Sequence, residues 1–438
     1  MPPSVLTLSD VVTALCVALI LLVPFAIAGL SLINTGLGRS RAAAHMMICS
    51  LGVCAVAALA FFAIGFSWQG YAGGPAYYFV IAGKQWSWIA AERFFLRGVP
   101  LDVSAPSLSV LFGMFSVCLA AIIPLGSGAD RWRIGAASIS TIFLAAWTYP
   151  LFAHWVWGGG WLQQLGANYG LGQGFIDAGG SSTIHCVGGF TALSIAWILG
   201  PRQGKYTRDG MPTAIPGHNA VYMTFGCFLA LIGWIGLNGA GAILFANVDA
   251  GNIVLIAVNT MLSAVSAGLA AAVVTRVRFR KPDVSLSVNG WVGGLVASSA
   301  GCAFMKPPEA VIVGAVAGGL VALSVEWLEV KLGIDDPAGA VSAHALGGLW
   351  GILAVGLLGN TAAPTGGDHG QLLAQFVGIA TVLGFVLPLA YGINWAIDRI
   401  IRQRVEPEGE RQGLDLYELG GGAYPDFMTH DEASHRSF

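Results

Sequence analysis

The chain has 438 residues, of which 55% are hydrophobic and only 10% charged, with a formal net charge of −2. Soluble domains carry roughly 25% charged residues, so these numbers exclude a soluble enzyme, and the near-neutral balance gives no electrostatic footprint for nucleic acid. The expected class is an all-α polytopic membrane protein with the lipid bilayer as its solvent.

A crossing helix needs about 20 apolar residues, and eleven stretches qualify: 8–33, 43–68, 106–127, 134–157, 181–200, 218–246, 251–275, 285–303, 308–331, 338–359 and 371–400. The first is read as a span. It lacks the basic start of a secretory signal, and it is too long for a signal core although Ala26-Ile27-Ala28 resembles a cleavage site. Residues 70–105 are expected to be a polar connection with an interfacial turn around Trp86 and Trp88. With the N-terminus outside, 17 of the 21 Lys and Arg residues fall on the inner side; Lys84, Arg93, Arg97 and Lys306 remain outside. The positive-inside rule therefore predicts N-out and C-in topology. The seven cysteines show no CxxC and no zinc spacing, so they read as small apolar packing residues. No metal site, cofactor or catalytic triad is expected.

Two segments share one pattern. Asp177 precedes His185 by eight positions, and two residues later come Gly188-Gly189. Asp336 precedes His344 in the same way, followed by Gly347-Gly348. An imidazole in an apolar helix is costly unless it is paired or lines a polar path. Placing one at the start of span 5 and one at the start of span 10 suggests two halves of five spans, the second inserted upside down. The expected architecture is an inverted 5+5 repeat plus a final helix: repeat A about 8–200, repeat B about 218–359, the last span about 371–400. Together these make a membrane domain over 1–403, followed by a cytoplasmic tail over 404–438. Inverted repeats place their polar site between the halves, where two neutral imidazoles can satisfy each other.

Three further runs carry chemistry. His154-Trp155-Val156-Trp157-Gly158-Gly159-Gly160-Trp161 closes span 4, where an indole serves either as an interfacial anchor or as a cation–π surface. Asp177 and Asp336 open helices, Asp336 as a cap and Asp177 as either a cap or a cation-stabilising carboxylate. Gly233-Trp234-Ile235-Gly236-Leu237-Asn238-Gly239 combines close-packing glycines with a buried Trp and Asn.

These residues, with Ala129-Asp130-Arg131-Trp132-Arg133 and Asp335-Asp336-Pro337, resemble the ammonium transporter family (Amt/Mep/Rh) from the first span to Tyr424. The resemblance implies a homotrimer in the cell inner (plasma) membrane, each subunit with its own pore. Ammonium would be recruited at Trp157 with Asp177 in support, deprotonated, and passed as ammonia, with or without its proton, beyond His185 and His344, with Trp234 lining the pore. The sequence departs from the family at several points. Ungapped alignment puts Ser116 at the first gate phenylalanine, with Phe112 and Phe115 nearby to substitute for it if the register slips; Leu237 stands at the second and Gly241 at the vestibule serine. The expected gate is therefore open and the recruitment site thinned. The loop from Trp157 to Asp177 is longer than in the family. The tail motif centre reads Leu419-Gly420-Gly421, which argues against regulation by a PII-type signalling protein. Ammonium transport is the expected function, and an ammonium-sensing receptor on the same fold is the alternative. A chain ending at Phe438 after a short polar tail, with no kinase or cyclase, favours transport. Passage of another small neutral molecule, such as carbon dioxide or methylamine, is a third reading.

Overall fold

A computed structural model describes residues 6–361 and 369–424. Eleven helical segments order the membrane part: α1 (Asp10–Leu37), α2 (Ser40–Gln69), α3 (Ala105–Gly128), α4 (Ile134–Trp157), α5 (Ser181–Leu199), α6 (Ala220–Phe245), α7 (Ala250–Phe279), α8 (Val284–Gly301), α9 (Pro307–Leu332), α10 (Val341–Leu358) and α11 (Gly370–Ile400). All but α8 are long and apolar enough to cross a membrane. The 18-residue α8 falls short because Ser, Asn and Gly dilute its apolar residues. It is nonetheless buried from Val288 onward apart from half-buried Trp291, so protein rather than lipid solvates most of it.

Helix starts follow capping chemistry. Asn219 Oδ1 accepts from the Tyr222 N–H and Asp283 Oδ1 from the Leu286 N–H, while Pro106 and Pro307 occupy first-turn positions where no donor is needed. α3 and α5 are the most enclosed helices, and α1, α2 and α11 present wide apolar faces outward. Small residues bring backbones together: a Cβ on Gly29 would lie 2.6 Å from the Gly226 carbonyl oxygen, so α1 and α6 touch main chain to main chain.

At the end of the bundle opposite Trp157, buried ions join the loops. Arg202 grips Asp335 through Nε and Nη2, each at 2.9 Å, and donates Nη1 to Asp130 at 3.0 Å. Arg131 donates to the Gly200 and Asp335 carbonyls, both at 2.8 Å. Burial alone would raise the Asp335 carboxyl, but the Arg131 and Arg202 guanidiniums outweigh it and hold it at about 2. The tail folds onto this end. Asp415 accepts from the Ala44 and His45 N–H groups, and His45 Nε2 meets Glu418 at 2.7 Å.

The connection over 70–105, expected to be polar with an interfacial turn around Trp86 and Trp88, contains a hairpin with an apolar strand. Tyr77–Ile81 (β1) and Lys84–Ile89 (β2) form an antiparallel hairpin around Ala82-Gly83, both at positive φ. That two-residue turn matches strand twist. The sequence lacked an Asn-Gly or Asp-Gly signal, and an aromatic run does not show period two. All seven cysteines are free and, except for half-buried Cys54, buried, in line with packing roles.

Candidate functional site

The duplicated Asp–His pattern has a geometric basis. In each copy the helix begins with a wide π-helical turn, Ser181–Cys186 and Val341–Leu346, and the histidine lies within that turn. Such turns are rare and concentrate at functional sites. Each aspartate caps its turn five residues on: Asp177 Oδ2 accepts from the Ser182 N–H at 2.8 Å, and Asp336 Oδ2 from the Val341 N–H at 2.7 Å. The second glycines make the two helices cross. A Cβ on Gly189 would lie 2.4 Å from the Ala345 nitrogen, and one on Gly348 2.6 Å from Cys186 Sγ. Each glycine thus packs on the residue that follows the other copy's histidine.

The crossing brings the imidazoles together. His185 Nδ1 and His344 Nδ1 lie 3.3 Å apart, with ring centroids at 5.3 Å. His185 is fully enclosed and His344 is 4% exposed. Trp234 stacks on His185 at 5.0 Å with 7° between the planes, and its Nε1–H donates to Ser299 Oγ at 3.1 Å. His185 Nε2 is buried without a hydrogen-bond partner among the described residues. One proton between the two Nδ1 atoms fixes complementary tautomers: the ring that donates leaves its Nε2 as an acceptor, and the ring that accepts carries its proton on Nε2. The pair therefore offers one donor and one acceptor to a small neutral molecule.

Trp157 ends α4, and its Nε1–H donates to the Asp177 carbonyl at 2.7 Å. Phe245 stacks on it at 4.6 Å and 11°, and Phe112 meets it edge-on at 5.6 Å and 80°. Phe112 and Phe245 also touch each other at 5.1 Å. Of the three candidates on α3, Phe112 is the one that meets Trp157. Ser116 is fully buried beside the Tyr149 hydroxyl, and Phe115 is half-buried. Leu237 is buried on α6, two turns before Phe245. Two rings, Phe112 of α3 and Phe245 from the end of α6, thus pack on Trp157. Gly241 contributes packing: a Cβ there would lie 2.3 Å from the Ala178 carbonyl oxygen. A serine would clash with that carbonyl.

Asp177 has both carboxylate oxygens occupied. Oδ1 accepts from the Gly180 N–H, and Oδ2 from the N–H and hydroxyl groups of Ser182 and Thr183. This is a cap, with the charge placed at the positive end of α5. Beside it a cavity of about 80 Å³ is lined by Trp157, Gln163, Asp177, Phe245 and Phe304 among others. Gln163 Oε1 is buried there without a hydrogen-bond partner among the described residues.

Sequence reasoning named Phe112, Trp157, Asp177, His185, Trp234 and His344, all of which converge here. It missed Phe245, an apolar residue at a helix end with no local signal, and Gln163, which lies in the long loop. His154 has both ring nitrogens occupied, by the Gln69 carbonyl at 2.7 Å and Ser87 Oγ at 3.0 Å. It ties α2, α4 and the hairpin together. No cluster of metal-binding side chains occurs among the described residues.

A polytopic helical bundle whose two helix crossings bury a histidine pair beneath an aromatic mouth has the form of a small-molecule membrane transporter. A sequence model of the Ammonium Transporter Family matches residues 13–424, and the chain belongs to that family. It is 36% identical over 422 residues to ammonium transporter Amt2 of Archaeoglobus fulgidus, covering 93% of this chain and 86% of that one. It is 30% identical over 408 residues to an ammonium transporter of Bacillus subtilis, covering 91% and 95%. Among solved structures, a sensor Amt protein superposes with a TM-score of 0.83 at 29% identity, over 93% of this chain and 97% of that one. Candida albicans Mep2 superposes at 0.77 with 24% identity, over 96% and 91%, a likeness of fold alone.

Proposed function

We propose that the chain carries ammonium across the membrane, gathering the cation at the Trp157 mouth, where its proton passes to water, and conducting ammonia along the histidine pair with the proton crossing beside it. The observation that carries this reading is the Nδ1–Nδ1 contact of His185 and His344 inside an apolar surround. Ammonia both donates and accepts, so it matches a pair that offers one of each. Potassium and sodium can shed neither hydration nor a proton there, and a dry path rejects them. At the mouth, Trp157 supplies a π surface and Gln163 Oε1 an acceptor, while Phe245 lies over one face of the indole. Phe112 and Phe245 act as the gate. Asp177 sets the mouth by capping α5, and Asp336 does the same for α10.

The finer parts of this reading are the N-out, C-in orientation in the inner (plasma) membrane, the eleven spans with repeats over about 8–200 and 218–359 and a last span over about 371–400, a homotrimer, and a tail over 404–438 not built for a PII-type partner. The 17-to-4 distribution of basic residues supports the orientation. The reciprocal glycine crossing supports the repeats. Ammonium-evoked charge movement in proteoliposomes, compared between the parent protein and His185→Ala/His344→Ala, tests the proposal; indifference to the double substitution refutes the pore role.

The sensing alternative has an observation of its own, since Phe112 and Phe245 pack together over the mouth. A sensor binds ammonium without flux. Binding to purified protein that yields neither current nor a vesicle pH change would favour it.

A further inference from the structure

The connection between α2 and α3 carries a surface that the transport path does not use. β1 reads Tyr-Tyr-Phe-Val-Ile, and all five side chains are 55–65% exposed. A strand lying on a protein body buries alternate side chains, yet β1 buries neither face, and its free edge pairs with no described strand. In water such an edge invites aggregation.

β2, by contrast, is fastened. The Ser87 N–H donates to Gln164 Oε1 at 2.9 Å, and the Trp155 indole donates to the Trp88 carbonyl at 2.9 Å. These bonds fix the hairpin's depth. Trp88 packs on Trp155 at 5.0 Å, and Trp155 on Phe385 of α11 at 4.6 Å. Ten residues along α11 from Phe385, about 15 Å at helical rise, Trp395 carries the Arg399 guanidinium over its ring at 5.0 Å, the signature of the opposite interface. The apolar slab is about 30 Å thick, so Phe385 and Trp88 lie within it. A second contact agrees: Phe95, just beyond β2, packs at 5.9 Å on Phe62, an exposed residue about 10 Å before the end of α2.

We propose that the hairpin is a membrane paddle, with β1 lying in the headgroup–acyl boundary of the leaflet on the Trp157 side. This rests on the helices crossing a bilayer, and it is independent of what they transport. Lipid covers both faces of a strand at once, which a single docking partner does not. The Tyr77 and Tyr78 phenols suit an interfacial position. Lys84 stands at the tip, where its stem follows apolar surface and its ammonium reaches the headgroups. Uncharged β1 then needs no partner.

The test uses full-length Val80→Cys carrying a nitroxide label, in nanodiscs of neutral phospholipid, with equally treated parent protein as the blank for its native thiols. Asp209→Cys, on an exposed loop, gives the aqueous reference. The paddle predicts that dissolved oxygen relaxes the Val80→Cys label more than a water-soluble nickel chelate does, the reverse of the Asp209→Cys reference. Chelate-dominated relaxation at both sites overturns it. A covalent dimer of Val80→Cys on mild oxidation assigns β1 to a second copy of the chain and also overturns it. Neither readout depends on ammonium flux.

Discussion

Removing the Asp177 carboxylate separates a cap from a cation site. In Asp177→Ala the N–H groups of Gly180, Ser182 and Thr183 lose their acceptor within a buried helix start. Each buried donor left unsatisfied costs ~1–3 kcal/mol, and the two hydroxyls can turn back to main-chain carbonyls. Three stranded N–H groups therefore cost at least ~3 kcal/mol. Asp177→Asn keeps one oxygen, and placed at the Oδ2 position it still serves four of the five donors. Its cost is ~1–2 kcal/mol, for the Gly180 N–H and the lost charge–dipole attraction. Denaturant unfolding of the purified protein, read beside ammonium binding, gives both quantities. The cap account requires Ala to destabilise more than Asn, with binding falling in step with stability. Two variants of parent stability that have both lost ammonium affinity would refute it, and Asp177 would then act through its charge on the substrate.

The remaining predictions concern other parts of the fold. Phe245→Ala removes the ring stacked on Trp157 and opens the mouth; methylammonium or potassium current should grow relative to ammonium current, and unchanged selectivity would remove Phe245 from the gate. Gln163→Leu should raise the ammonium concentration for half-maximal current while sparing stability, since Oε1 bonds nothing among the described residues. Gly348→Val forces side-chain atoms onto the Ser181 carbonyl and Cys186 Sγ; overpacking of this kind costs ~1–3 kcal/mol or more, measured as a fall in unfolding midpoint. Asp335, held at about 2 against an ordinary value of 3.8, contributes stability that is complete above about pH 4 and is lost as pH falls towards 2. That contribution is ~2 kcal/mol. In Asp335→Asn the pH dependence between 4 and 2 should flatten.

Much of the fold was legible because a bilayer demands long apolar helices, and ten of the eleven expected spans meet that demand outright. The eighth was legible as a helix, Val284–Gly301, whose polar residues leave it short of the apolarity of the other ten. The hairpin was not, because a run of aromatics reads equally as a loop or a membrane-facing strand. At the site, the repeated Asp–His–Gly pattern foretold the histidine pair and the Asp336 cap, since a buried imidazole needs a partner and a helix start needs an acceptor, while it left Asp177 open between a cap and a cation-stabilising carboxylate. It did not foretell Phe245. That ring reaches Trp157 only because α6 ends beside α4, a relation between distant segments that no local spacing encodes. Gly241 shows the converse: its likeness to a binding position was sequential, while its role is set by the Ala178 carbonyl against it.

The central claim is that the His185–His344 pair conducts. The most direct measurement is current on a solid-supported membrane after an ammonium pulse, for the parent protein and for His185→Ala/His344→Ala. The account predicts a current that saturates with ammonium, is absent with potassium, and is lost or made unselective in the double variant. A parent that binds ammonium but gives neither current nor a vesicle pH change, or a double variant indistinguishable from it, would contradict the account.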